Sequence, residues 1–131
     1  LERGAWLKRL KREGKAAYKG KIIKLEQVAE KKSGLRVVYT GDTNVQTVEK
    51  ISHGADLLIH DGTFLEEDAT EKAHHADAKA AAKLAKQAKV KQLILTHLSR
   101  RYKDVKPIED EAKKIFENTM VAHDFLKVRL K

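Results

Sequence analysis

Cysteine is absent from this 131-residue chain. That excludes disulfides and thiolate metal sites, and leaves His and carboxylates to hold any ion. Together with abundant Lys and Glu, the same absence favours an intracellular, cytoplasmic and heat-adapted source. No apolar run approaches the ~20 residues that would span a bilayer, so no membrane partner is expected. There is no signal-peptide pattern, and the chain starts at Leu1 in a charged stretch without an initiator Met, as a fragment or processed chain would. Proline occurs once, at Pro107. With no internal repeat, low-complexity stretch or linker, residues 1–131 read as a single domain.

Positive charge, by contrast, is plentiful. The net charge is +9, and residues 1–24 alone carry nine Lys or Arg against two Glu. Such a basic amino-terminal segment attracts polyanions, RNA or DNA first among them; a solvated helix face is the plainer alternative.

Along the chain, Glu2–Glu13 has the pattern of a short basic helix stopped by Gly14, with Trp6 and Leu10 one turn apart. Lys21–Lys24 predicts a short strand, Leu35–Tyr39 a β-branched one, and Leu57–Ile59 and Gln92–Leu95 buried ones. Helices are expected over Asn44–His53, with Asn44 as N-cap and Val45, Val48 and Ile51 on one face, over Ala76–Lys89, and after Pro107 with Ile108, Ala112, Ile115 and Phe116 as its stripe. Met120–Ala122 and Phe125–Leu130 read as closing strands. The alternation of strand and helix defines an α/β protein.

Several chemically capable side chains fall just beyond strand ends, where α/β proteins build their sites. Asp42 follows Thr40-Gly41, and His97 follows Thr96. His60-Asp61 ends the strand between them, and His74-His75 precedes the Ala-rich helix. Each has a structural alternative: an Asp capping a helix, or a His satisfied at a strand end. A carboxylate beside a histidine also makes a general acid, and a histidine at a helix start lies near amides that favour phosphate. Ser99-Arg100-Arg101-Tyr102 adds a guanidinium fork matched to phosphate and a ring able to stack on a base. His53 reads as exposed on its helix, and His123 as part of a closing strand.

Taken in order, Tyr-Thr-Gly-Asp-Thr (39–43), Ala-Asp-Leu-Leu-Ile-His-Asp-Gly-Thr-Phe (55–64), His75 with its helix, Leu-Ile-Leu-Thr-His-Leu-Ser-Arg-Arg-Tyr (93–102) and Ala-His-Asp-Phe-Leu (122–126) form a pattern that resembles ribonuclease Z. This is the tRNA 3′-processing endonuclease family of the metallo-β-lactamase superfamily, and the match covers its carboxyl-terminal half. The resemblance implies half of a four-layer αβ/βα sandwich, with a mixed sheet flanked by helices. It also implies a dizinc hydrolase in which Asp42 bridges two zinc ions and His97 is a terminal ligand of one. Asp61 and His75 would assist proton transfer to the leaving group, and Arg101 would bind phosphate. Asp61 stands where the family usually has Glu, and His75 is followed by Ala76-Asp77 where the family has Ser-Thr.

The superfamily's His-x-His-x-Asp-His motif, which supplies most zinc ligands, does not occur here. Two ligands cannot close a dizinc site, so this chain alone is expected to bind zinc poorly and to be inactive. The implied partners are precursor tRNA, a second copy in a homodimer, or the missing amino-terminal half. The alternatives are another hydrolase of the same fold, acting on a phosphodiester, an arylsulfate or a thioester-type compound, and a non-catalytic basic RNA-binding half-fold. Manganese and iron stay open beside zinc, because His and carboxylate serve all three.

Overall fold

The computed structural model describes residues 3–43, 45, 48–68 and 75–130, in two compact units, Leu1–Gly34 and Leu35–Lys131. In the first unit the basic stretch forms helix α1 (Arg3–Glu13). Gly14 ends it at φ +72, and its amide donates to the Leu10 carbonyl at 2.9 Å, a left-handed stop that glycine accepts without a Cβ penalty. Strands β1 (Lys15–Tyr18) and β2 (Lys21–Lys24) then pair antiparallel, with Tyr18 opposite Lys21. The sequence predicts only β2. Its partner is created by the Lys19-Gly20 turn, where both residues take positive φ (46° and 76°), the two-residue turn whose twist suits a hairpin. A single helical turn, α2 (Leu25–Val28), follows. The Trp6 ring lies 5.2 Å from that of Tyr18, and Leu10 and Ala16 are buried.

The second unit is built on strands β3 (Val37–Tyr39), β4 (Leu57–Asp61), β5 (Leu93–Thr96) and β6 (Thr119–Val121). They lie side by side in chain order, and every pair is parallel. The expectation of a mixed sheet is therefore corrected among the described residues. Each crossover returns through a helix (α3, Glu49–Ser52; α4, Ala78–Gln87; α5, Lys106–Lys113), and such returns produce parallel neighbours. Right-handed crossovers that always step in the same direction also put their helices on one face. The core agrees: Leu58, Leu93, Leu95 and Val121 from one sheet face pack in one cluster with Ala78, Ala81, Ala82, Leu84, Ala85, Ile108 and Ala112. Alanine along the inner side of α4 permits this close approach.

Other boundaries shift for local reasons. The described helix α3 begins at Glu49 with Val48 as its N-cap; Asn44, the expected cap, lies outside the described residues. Val48 and Ser52, one turn apart, are buried, whereas Ile51 is 60% exposed instead of facing the core. Helix α4 starts at Ala78 because the Asp77 side chain accepts the Ala80 amide at 2.7 Å, the ordinary N-cap bond. It stops before Lys89, which sits at φ +53. In α5 Pro107 occupies the first turn, as expected. The stretch Phe125–Leu130 forms no strand, although Leu126, Val128 and Leu130 alternate as half-buried residues. Asp56 ties the strand starts together by accepting the Arg36 amide at 2.7 Å and Lys91 Nζ at 2.6 Å. No helix among the described residues is long and apolar enough to cross a membrane.

Candidate metal and proton-transfer site

The carboxyl ends of β3, β4 and β5 converge. In-register pairing sets Asp61 beside Thr96 and His60 beside Leu95. Because successive strand residues point to opposite faces, His60 and Asp61 diverge. His60 joins the helix-covered core face, fully buried, with Nδ1 2.8 Å from the Asp61 carbonyl and Nε2 without a partner among the described residues. Burial pushes its imidazole below the ordinary histidine value, only partly opposed by the Asp61 carbonyl, so His60 is a neutral core residue outside the site.

Asp61 points the other way and collects donors. Its Oδ2 lies 2.7 Å from His75 Nδ1, and its Oδ1 accepts the Thr63 amide at 3.0 Å and the Thr63 hydroxyl. The carboxylate is fully buried, and the His75 side chain is 32% exposed. His75 does not open α4. It stands three residues before it, in a segment pinned by the Thr63 amide to the Ala76 carbonyl at 3.1 Å and the Ala78 amide to the Phe64 carbonyl at 2.9 Å. The helix amide nearest to hand is taken by Asp77, so the expected phosphate role of that terminus has no free Ala80 N–H behind it. His74 lies outside the described residues.

His97 follows β5 with φ +56, an uncommon backbone for a residue with a Cβ and one that recurs at functional sites. Its ring stacks on that of His75, with centroids 4.8 Å apart and planes 23° from parallel. Its Nδ1 is 3.1 Å from Thr63 Oγ1, and its Nε2 is 3.3 Å from Asp42 Oδ2. Asp42 reaches it from the loop after β3, where Gly41 turns the chain at φ +64. Ligand atoms of Asp61, His75 and His97 also lie within 4.8 Å of one another, a spacing that a single cation can span.

Arg101 stands in the loop after His97, with its guanidinium carbon 4.9 Å above the Phe64 ring and Nη1 3.7 Å from Asp68. Tyr102 braces this corner: its hydroxyl accepts the Leu65 amide at 3.1 Å and donates to Asp68. Burial first, then that bond to Asp68, raises its pKa, so the phenol keeps its proton. The Ser99 amide, bonded to the Thr63 carbonyl at 3.0 Å, closes the two loops onto each other.

The sequence reading left Thr63 without a role, although it touches both Asp61 and His97. The signal was present: positions 61 and 63 share a side when the chain leaves a strand extended. His53 is exposed just beyond α3, and His123 is exposed after β6 rather than within a strand.

The chain, whose parallel sheet gathers acid and imidazole groups at its carboxyl edge, belongs to the beta-lactamase superfamily domain family, whose model matches residues 24–98. Asp42, Asp61, His75 and His97 all lie inside that match. Over 119 residues the chain is 49% identical to a protein named Ribonuclease Z from Archaeoglobus fulgidus, covering 86% of this chain and 39% of that relative. Among solved structures it is similar to a metallo-beta-lactamase fold protein from Bacillus subtilis (33% identity, TM-score 0.60, 66% of this chain and 36% of that one). The fold is also that of the short form of human tRNase Z (24% identity, TM-score 0.57, 84% of this chain and 37% of that one). The chain thus spans about 40% of the length of the curated relatives it matches.

Proposed function

We propose that this chain is part of a zinc-dependent endoribonuclease of the ribonuclease Z kind, cytoplasmic and homodimeric, which removes the 3′ trailer from tRNA precursors. The observation that carries the metal reading is the approach of Asp42 Oδ2 to His97 Nε2, 3.3 Å apart at the open end of the sheet. Two acceptor atoms so placed need a proton or a cation between them, and a carboxylate with an imidazole is a donor set that zinc accepts. Asp42 and His97 would hold the metal. When bound, zinc supplies Lewis-acid stabilisation of charge on the scissile phosphate and makes water more acidic.

Asp61 Oδ2 engages His75 Nδ1 at 2.7 Å, so the carboxylate orients the ring, and a proton-transfer role is proposed for the pair. His75 donates Nδ1–H to Asp61 and leaves Nε2 for the proton in transit. With the ring oriented by that bond, a proton carried on Nε2 would pass to the departing 3′ oxygen. The products are a 3′-hydroxyl on the tRNA and a 5′-phosphate on the trailer. Arg101, held by Phe64 and Asp68, offers its guanidinium to a substrate phosphate. The similarity to Ribonuclease Z supports the choice of substrate, and the basic first unit supports a polyanion.

Two ligands fall short of the four that each zinc takes, so the isolated chain should not cleave RNA. The assignment is tested in the protein that carries this chain with its remaining ligands. Asp42→Ala and His97→Ala should each lower zinc content and abolish cleavage of precursor tRNA. His75→Ala should keep the zinc and slow cleavage roughly 10²–10⁴-fold. Full zinc content in both ligand variants would overturn the metal reading, and zinc loss in His75→Ala would make His75 a ligand. Precursor tRNA and small phosphodiesters, assayed side by side, separate a tRNA enzyme from a broader phosphodiesterase.

A further inference from the structure

We propose that Phe64 is a positioning residue whose ring holds the Arg101 guanidinium in place, without occupying its N–H donors, for capture of a phosphate. An arginine side chain has many rotamers, and its planar fork grips a phosphate only when it is aimed. The guanidinium carbon lies 4.9 Å from the centroid of the Phe64 ring, within the range over which a ring face attracts a cation. The other group beside it is Asp68, with Oδ1 3.7 Å from Nη1. That separation exceeds hydrogen-bond reach, so Asp68 draws the charge without taking a donor. Both of those side chains are partly exposed (53% and 32%), where solvent reduces an ion pair to little net effect. The second Asp68 oxygen is engaged by the Tyr102 hydroxyl. The ring therefore fixes where the guanidinium lies, and neither neighbour spends its N–H groups.

The platform is itself anchored. Phe64 is bridged in parallel to Asp77, and its carbonyl accepts the Ala78 amide at 2.9 Å. The loops after β4 and β5 then meet residue by residue. The Ser99 amide donates to the Thr63 carbonyl at 3.0 Å, Arg101 lies over Phe64, and the Tyr102 hydroxyl accepts the Leu65 amide at 3.1 Å. Side chains 101 and 102 are thus clamped to the consecutive residues 64 and 65. Phe64 also follows Asp61 closely, so one short segment carries both the carboxylate that orients His75 and the ring beneath Arg101. A long side chain ordered in advance loses less entropy when its ligand arrives. That Arg101 meets a phosphate rests on the proposed function; its placement on Phe64 does not.

The test uses the complete, zinc-loaded protein. Phe64→Leu keeps apolar bulk and loses the ring face, whereas Phe64→Tyr keeps the face. In arginine-labelled protein the ring should shift the Arg101 side-chain protons upfield in the wild type and in Phe64→Tyr. In Phe64→Leu they should move to the positions of an exposed arginine. With precursor tRNA, Phe64→Leu should lower kcat/KM roughly 2–30-fold, the span between an exposed and a desolvated cation–π contact. Zinc content should not change, and Phe64→Tyr should restore the rate. In an Arg101→Ala background, Phe64→Leu should cost nothing further, because the two side chains act as one unit. If Arg101→Ala slows cleavage, then no loss in Phe64→Leu, or an equal loss in both backgrounds, overturns the proposal. A wild-type Arg101 without the ring shift overturns it too, even if Phe64→Leu fails to fold. If Arg101→Ala leaves cleavage unslowed, the phosphate role of Arg101 falls, and the ring shift alone decides whether Phe64 holds the guanidinium.

Discussion

His60 and Asp61 are neighbours with opposite surroundings. One is a neutral imidazole in an apolar core, the other a carboxylate with three donors. The histidine carries a stability signature. Its pKa in the fold lies below the ordinary value, chiefly through burial, so below about pH 6.5 the unfolded chain binds more protons than the folded one. Stability then falls as pH drops below that value. His60→Leu should flatten the decline in urea midpoint between pH 7.5 and pH 5, and equal slopes in both proteins would contradict the assignment of a buried neutral His60. At this scale the sequence shows which residues gather, because Asp42, Asp61 and His97 each follow a β-branched or apolar run. It does not show that a strand's alternation separates 60 from 61, because the last residue of the strand sets the parity, and β4 extends two residues beyond the apolar Leu57–Ile59.

Elements were legible where burial and local propensity agree. The Ala-rich α4 combines strong helix-forming residues with an apolar face, so its existence follows from sequence alone. Its end does not. Lys89 takes φ +53, a conformation that usually calls for Gly or Asn, and nothing in a Lys announces it. Lys89→Gly should stabilise the chain by roughly 1 kcal/mol by removing the left-handed penalty of a Cβ, and Lys89→Val should destabilise it; thermal melts of the two variants decide this. Helix α3 lies within the expected 44–53, with Val48 in the core and Val45 packed against it, but Ile51 turns outward instead of completing the stripe. The β1–β2 hairpin was half missed because Lys-Gly is a weak turn signal beside Asn-Gly or Asp-Gly.

For the whole molecule, charge is the most uneven property. Residues 1–34 hold eleven Lys or Arg against four Glu, which accounts for seven of the nine excess positive charges. Described ion pairs there engage Arg9 and Arg12 with Glu13, and Lys24 with Glu26; Lys8, Lys11, Lys15 and Lys21 have no such partner among the described residues. RNA binding should therefore weaken linearly on a log–log plot against salt. Changing these four lysines to Gln should reduce the slope by about 0.7–0.9 for each phosphate that is no longer neutralised. An unaltered slope would assign this charge to a merely solvated surface. The α/β class was readable from the alternation of strands and helices. The all-parallel arrangement was not, because parallel and mixed sheets share the same local patterns and differ only in how the crossovers step.

Gly62 separates the carboxylate at 61 from the hydroxyl at 63, and a Cβ placed on it would come within 2.9 Å of the Leu95 side chain. The gap between two reactive neighbours is thus gauged by a hydrocarbon one strand away. Any larger residue at 62 would have to push that leucine aside, so an interior hydrocarbon confines the link between the two polar side chains to a residue without a Cβ.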